Sequence, residues 1–233
     1  MSRALRELLR AGGGASVGCL LTPAALAHGV PGGDAQYLES LSGVHLLPLI
    51  YLGAKHMVTG YDHLLFLAGV VFFLYRLREV ALYATLFAIG HSTTLLLGML
   101  AGIHANAHIV DAIIGLSVVY KALENVGAFR RWGIVINTRT AVLVFGFAHG
   151  FGLSTKLQAL SLSPDGLIGN MIAFNIGVEL GQIFALTFIL LALQVWRRTA
   201  SFRRGAYAAN VLIMTAGFVL FGYQLTGFAT QVR

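Results

Sequence analysis

Long apolar segments recur along this chain, and they constrain its fold more than any other feature. A straight helix needs about 20 apolar residues to cross a bilayer. Charged residues make up only 11% of the chain, against about 25% in soluble domains. Because backbone in lipid must satisfy its own hydrogen bonds, we predict an all-α polytopic membrane helical bundle. Its six transmembrane helices are predicted at about 60–76, 80–102, 109–128, 139–160, 168–195 and 206–228.

The N-terminal segment has the pattern of a cleavable signal peptide at residues 1–27. Three arginines precede a short apolar stretch that ends in Ala25-Leu26-Ala27, the small-residue pattern of a cleavage site. An uncleaved first helix is the alternative. After cleavage, residues 28–43 are predicted to form an exposed periplasmic lead-in, and residues 44–233 a single bundle. Pro48 and Gly60 interrupt the first apolar run, which predicts a short interfacial or re-entrant helix at about 44–57.

Basic residues fall in alternate loops and predict the orientation. Nine of the thirteen Lys and Arg residues after position 27 lie between predicted helices one and two, three and four, or five and six. The positive-inside rule places these loops in the cytoplasm. Both mature ends are then periplasmic, which agrees with export of the N-terminus by a signal peptide. The net charge of +7 therefore reflects orientation, and no nucleic-acid partner is predicted.

Ionisable residues lie within the apolar segments. His56, Asp62 and His63 fall within eight residues, and a spacing of seven places both histidines on one helix face. We expect these three near the outer face and the next group near mid-bilayer. Ionisable residues inside a membrane are costly and indicate function, so His56, Asp62, His63, His91, His149 and Glu179 are predicted metal ligands. The predicted transport path also includes Glu124, Asn125, Asn175 and Gln182.

Imidazole and carboxylate ligands indicate a divalent transition metal. Such a set suits Ni, Co, Zn, Fe or Cu(II). The only cysteine, Cys19, leaves with the signal peptide, so no thiolate site is expected. The residue types leave the choice among these metals open.

Five motifs in order resemble the HupE/UreJ family of nickel permeases over residues 44–228. The resemblance implies an inner-membrane protein that takes up nickel or cobalt. The expected partners are the metal ion, the lipid bilayer, and a membrane complex or further copies of the chain. The motifs are His56-x-x-x-Gly60-x-Asp62-His63, Gly90-His91-Ser92-x-Thr94, Glu124-Asn125, Phe145-Gly-x-x-His149-Gly150 and Phe174-Asn175-x-Gly177-Val-Glu179-x-Gly181-Gln182.

Two other classes of function stay open. An intramembrane zinc hydrolase could hold its metal with three histidines and an aspartate, with Ser92 beside His91 and a metal-bound water as nucleophile. A closed site with one bound water favours this reading, whereas ligands strung along a path favour transport. An accessory metal-binding subunit of a membrane complex is the second class. The residues favour transport over catalysis.

Overall fold

The computed structural model describes residues 32–231, and every regular element in that part of the chain is helical. The predicted signal peptide and its cleavage site lie outside the described residues. The helices are α1 (Gly32–Ser40), α2 (Leu46–Thr59), α3 (Tyr61–Val71), α4 (Leu77–Ala101), α5 (Ala107–Asn125), α6 (Ala128–Arg131), α7 (Thr138–Gln158), α8 (Leu167–Arg197) and α9 (Ala200–Gln231).

Three closely packed helix pairs surround α3: α2 with α8, α4 with α7, and α5 with α9. Glycines line these interfaces because there is no space for a Cβ. A Cβ at Gly90 would lie 2.5 Å from the Leu143 carbonyl, and one at Gly146 would lie 2.6 Å from the Phe87 carbonyl. Small residues let membrane helices approach closely, so the glycines of the Gly-His motifs serve packing as well as the site.

α2 and α3 follow each other directly and are separated only at Gly60. Gly53 and Gly181 pack on the paired helix along the length of α2, so α2 runs parallel to the first half of α8. α3 then continues to Gly69, whose carbonyl accepts a hydrogen bond from Asn125 at the end of α5. The predicted short helix at about 44–57 corresponds to α2, and α3 lies within the predicted first crossing at about 60–76.

The bundle has two chemically different ends. The turn after α3, the short helix α6 and the end of α8 carry Arg76, Arg130, Arg131, Arg197 and Arg198, and we call this the arginine end. The opposite loop end holds residues 102–106 and 159–166, where Gln158 Nε2 donates to the Ile103 carbonyl at 3.2 Å. α1 also lies at the loop end, where Asp34 forms an ion pair of 2.8 Å with Lys55, so the predicted exposed lead-in is partly helical.

Within residues 32–231, three helices, α4, α8 and α9, are by length and composition long and apolar enough to cross a membrane. α5 and α7 have 19 and 21 residues, close to the length that a crossing needs, but both contain charged side chains. α3 has only 11 residues. Residues 32–231 are therefore all-helical with three candidate membrane spans, while the total of six crossings stays a prediction.

Candidate functional site

Four helices each bring one histidine to a common cluster in the middle of the bundle. His63 lies at its centre, with ring centroids 5.3 Å from His56, 5.6 Å from His91 and 4.8 Å from His149. His91 and His149 lie near the middle of α4 and α7. The structure therefore corrects the expected depth of His56 and His63: they lie at mid-depth with the other two histidines, instead of near the outer face.

Asp62 orients His63 through two hydrogen bonds. The backbone amide of His63 donates to Asp62 Oδ1 at 2.8 Å, and the same oxygen lies 3.0 Å from His63 Nδ1. A carboxylate only accepts hydrogen bonds, so Nδ1 carries the proton and Nε2 carries the lone pair. This carboxylate–histidine arrangement is the one that typically supports a metal-binding imidazole.

Gly60 makes room for the Asp62–His63 pair. A Cβ at position 60 would lie 2.9 Å from His63 Nδ1 and 3.2 Å from Asp62 Oδ1. The backbone of Gly60 has φ −73° and ψ 101°, a conformation that any residue adopts. Glycine is therefore needed at the break because a side chain would collide with the His63 imidazole, and not because the backbone conformation requires glycine.

His149 and His91 differ in the hydrogen bonds that their ring nitrogens make. His149 Nδ1 donates to the Phe145 carbonyl at 2.8 Å, which again places the lone pair on Nε2. Neither ring nitrogen of His91 has a hydrogen-bond partner among residues 32–231, although both are buried. Burying a polar nitrogen without a partner costs about 1–3 kcal/mol, so His91 is not explained by packing.

Aromatic and aliphatic side chains enclose the cluster. The Phe87 ring lies 6.1 Å from His63 and from His91, and 5.1 Å from His149. Phe66 lies 5.3 Å from His149, and His63, His91 and His149 have no exposed surface. Electrostatic interactions are stronger in such an apolar enclosure than in water.

The spacing of the rings suits a shared metal ion. With metal–nitrogen bonds of about 2.1 Å and tetrahedral angles, two imidazoles on one ion have ring centroids roughly 5 Å apart. The three separations from His63 bracket this value. As they stand, however, the side chains of residues 32–231 include no group of three or more His, Cys, Asp or Glu that could hold an ion. Binding would therefore require the rings to reorient.

The break between α2 and α3 adds the end of a helix to the site. α3 begins at Tyr61, so its N-terminus points into the middle of the bundle, with Asp62 in its first turn. A helix N-terminus carries partial positive charge that an acidic side chain stabilises. In transporters with broken helices, the N-termini face anionic groups, whereas the C-terminal ends and unwound carbonyls coordinate cations, so the start of α3 suits Asp62 and the end of α2 is the helix end that suits a cation.

Two residues predicted on the path, Glu124 and Asn125, lie at the arginine end in well-satisfied networks. Glu124 accepts from Lys121 Nζ at 2.7 Å and also from the Thr138 hydroxyl. Asn125 Nδ2 donates to the Gly69 carbonyl and to Asn210 Oδ1, both at 2.8 Å. These contacts tie α5 to α3, α7 and α9, and they place the two residues apart from the histidine cluster.

The three residues predicted on α8 lie beside the cluster. Asn175 Nδ2 donates to the Met171 carbonyl of its own helix, and Gln182 Nε2 donates to the Ala84 carbonyl of α4. Glu179 is exposed in a groove of about 440 Å³ between α4 and α8, which Ser92 and Gln182 also line. Glu179 does not join the four rings, so its role as a ligand stays a prediction.

Charged residues that the sequence analysis did not select also have defined places. Asp111 of α5 and Lys156 of α7 form a buried ion pair of 2.6 Å near the loop end. Arg197 donates to the carbonyls of Val71, Phe72 and Leu74, so it caps the end of α3. The signal that selected the histidines, an ionisable residue within an apolar segment, applies equally to Asp111 and Lys156.

Comparison with known proteins identifies one family. The family described as HupE / UreJ protein matches residues 33–232, nearly the whole chain, and this confirms the resemblance predicted from the motifs. No curated protein and no solved structure matches.

Proposed function

Because this chain belongs to the HupE/UreJ family, we propose that it is an inner-membrane permease for a divalent transition-metal ion, nickel or cobalt. The family is generally related to the transport of these metals. The ion is the cargo of the protein. The arginine end faces the cytoplasm in this proposal, and both mature ends face the periplasm, as the positive-inside rule requires.

The observation that carries metal binding is the convergence of His56, His63, His91 and His149, whereas the choice of transport rests on the family. Four imidazoles from four helices meet inside an apolar bundle, and the orienting hydrogen bonds of His63 and His149 direct Nε2 as the ligand atom. Neutral imidazole suits Ni and Co. Helix packing does not require four such rings at one place, whereas binding of a cation accounts for them.

Transport then proceeds through the break between α2 and α3. The ion reaches His56, Asp62 and His63 from the loop end, is shared with His91 and His149, and leaves toward Glu124 and Asn125 at the arginine end. A conducting path needs several weak sites instead of one tight cage. Glu179, Asn175 and Gln182 line the side of this route.

Metal binding by purified protein tests the proposal. We expect His63→Ala to abolish saturable binding of Ni²⁺ and Co²⁺, since His63 is the ring that contacts the other three. His104→Ala is the matched control, because His104 is exposed in a loop. Wild-type metal affinity in a folded His63→Ala variant would contradict the proposal.

An intramembrane zinc hydrolase is the second candidate, and the convergence of the ligands at one place favours it. The Ser92 hydroxyl, next to His91, is buried and has no hydrogen-bond partner within the described part of the chain. Zinc bound by three protein ligands activates water. Proteoliposomes that take up neither Ni²⁺ nor Co²⁺, although the protein retains one equivalent of zinc, would favour this function over transport.

A further inference from the structure

The groove between α4 and α8 is lined by side-chain oxygens, and one carboxylate is among them. Its volume is about 440 Å³, and its polar lining residues are Thr85, Ser92, Thr93, Glu179 and Gln182. Gln182 also has an amide nitrogen, but this nitrogen donates to the Ala84 carbonyl at 3.1 Å. The polar side-chain atoms that remain for a ligand in the groove are therefore oxygens, whereas the histidine cluster offers nitrogens.

The Glu179 carboxylate is not neutralised by any basic side chain of residues 32–231. Each of the three lysines in that segment is paired with another carboxylate: Lys55 with Asp34, Lys121 with Glu124, and Lys156 with Asp111. Glu179 lies well inside the 31-residue helix α8, about 18 Å along the axis from its first residue. An ionised carboxylate at such a depth in a membrane is costly without a partner, so a positive charge is missing from the groove.

Two further oxygens of the groove are buried and accept no hydrogen bond within the described part of the chain. They are Gln182 Oε1 and Ser92 Oγ, and Gln182 as a whole is only 3% exposed. Because a carbonyl only accepts hydrogen bonds, the contact with the Ala84 carbonyl fixes which end of the Gln182 amide is the nitrogen. The free end is thus an oxygen, and a buried acceptor without a donor is costly unless a ligand occupies it.

We propose that this groove binds a monovalent hard cation such as Na⁺. Glu179 is its charged ligand, and the oxygens of Gln182 and Ser92 are reached directly or through water. Glu179 and Gln182 are three residues apart, so both lie on one face of α8. Oxygen ligands suit hard cations, whereas imidazoles suit Ni and Co.

The charge of the groove favours a monovalent ion over a divalent one. One carboxylate balances one positive charge, and a second positive charge would stay uncompensated in an apolar setting, which is costly. The volume of about 440 Å³ also leaves room for several water molecules of about 30 Å³ each. The ion can therefore keep part of its water shell while the protein supplies the rest.

The groove lies next to the histidine cluster, since Ser92 directly follows His91 in α4. Glu179 then acts on a cation different from the one that the imidazoles bind, which agrees with its place outside the four rings. That this cation is the coupling ion, whose gradient drives uptake of Ni²⁺ or Co²⁺, rests on the proposed function. The existence of the site does not.

The main alternative is that Glu179 carries a proton and binds no metal cation. Both interpretations give an uncharged groove, so the stability of the protein does not distinguish them. Direct binding of Na⁺ does, because a protonated carboxyl group has no charge with which to hold the ion.

Equilibrium binding of radioactive Na⁺ to the purified full chain tests the site, at mildly alkaline pH and without transition metals. We expect wild type to bind Na⁺ saturably, and an excess of choline, which is too large for a shell of these oxygens, should not displace it. Glu179→Gln should lower the affinity for Na⁺ about tenfold or more, because it removes the negative charge of the groove. Glu79→Gln is the matched control, since it makes the same chemical change in the first turn of α4, outside the groove. His63→Ala should bind Na⁺ like wild type.

Absence of saturable Na⁺ binding in wild type, or equal affinity in wild type and Glu179→Gln, would overturn the proposal, and so would an equal loss in Glu79→Gln. If Glu179→Gln does not fold, Ser92→Ala decides: several-fold weaker binding of Na⁺ supports the site, and unchanged binding refutes it. The proposed function fails separately, when wild-type proteoliposomes take up no Ni²⁺ or Co²⁺ under any Na⁺ gradient although Glu179-dependent binding of Na⁺ is still observed.

Discussion

Replacing Gly60 with alanine tests whether the Asp62–His63 pair controls the site. The added Cβ would lie 2.9 Å from His63 Nδ1 and 3.2 Å from Asp62 Oδ1. Non-bonded heavy atoms prefer separations of about 3.5 Å or more, so the imidazole or the carboxylate must move by roughly half an ångström. The hydrogen bond between them is 3.0 Å long, and a shift of this size breaks it.

Two opposing terms determine how much Gly60→Ala changes the free energy of unfolding. A hydrogen bond to a charged group is worth about 1.5–3 kcal/mol. Alanine has fewer conformations than glycine in the unfolded chain, which stabilises the folded protein by about 0.4–1 kcal/mol where alanine can adopt the native backbone conformation. Gly60 has φ −73°, which alanine can adopt. The free energy of unfolding should therefore fall by about 1–2 kcal/mol. Metal affinity should fall more clearly, by about 10- to 100-fold, the usual effect of losing the partner of a metal-binding histidine.

Calorimetric titration of the purified protein with Ni²⁺ measures the affinity, and thermal unfolding measures the stability. Gly222→Ala is the matched control, because it lies within α9 and a Cβ there meets nothing within 4 Å. That variant should bind Ni²⁺ like wild type and be slightly more stable. If Gly60→Ala binds Ni²⁺ as tightly as wild type, orientation of His63 by Asp62 does not control binding.

Three further predictions follow from the fold and the proposed route. Gly150→Ala should lower stability by about 1–3 kcal/mol, because its Cβ would overlap the His91 carbonyl; an unchanged unfolding temperature would contradict this packing. Glu179→Gln should leave Ni²⁺ binding intact but stop uptake into proteoliposomes loaded with a metal-sensitive dye, and unchanged uptake would remove Glu179 from the route. Reporter fusions after Arg131 and Arg233 should report cytoplasm and periplasm respectively, and the reverse pattern would refute the orientation.

The sequence was sufficient to predict the helical class and the members of the histidine cluster. Apolar segments and their arginine-bearing turns predicted the positions of α4, α5, α7, α8 and α9, because in a bilayer hydrophobicity and length largely determine the helices. His56, His63, His91 and His149 were selected because ionisable groups are costly in lipid. All four meet in the structure.

The depth of His56 and His63 could not be predicted from the sequence. The rise per residue gives depth only when the start of a crossing is known, and Pro48 and Gly60 suggested that the crossing started after residue 57. In the structure, α2 pairs with α8 through contacts such as that between Gly53 and Phe174. This long-range packing, which the sequence does not specify, brings His56 and His63 level with His91 and His149.

The break between α2 and α3 also explains why glycine and aspartate follow one another so closely there. Ending α2 inside the bundle leaves backbone groups of both helices without intrahelical partners, which is costly away from water. Gly60 N–H donates to the His56 carbonyl at 2.9 Å, and Asp62 Oδ1 accepts from the amide of His63 at the start of α3. Because the same Asp62 oxygen also holds His63 Nδ1, the hydrogen bonding that makes the break tolerable orients the central imidazole. A change in α2 or α3 that closes the break would therefore misplace His63 even if every histidine were retained.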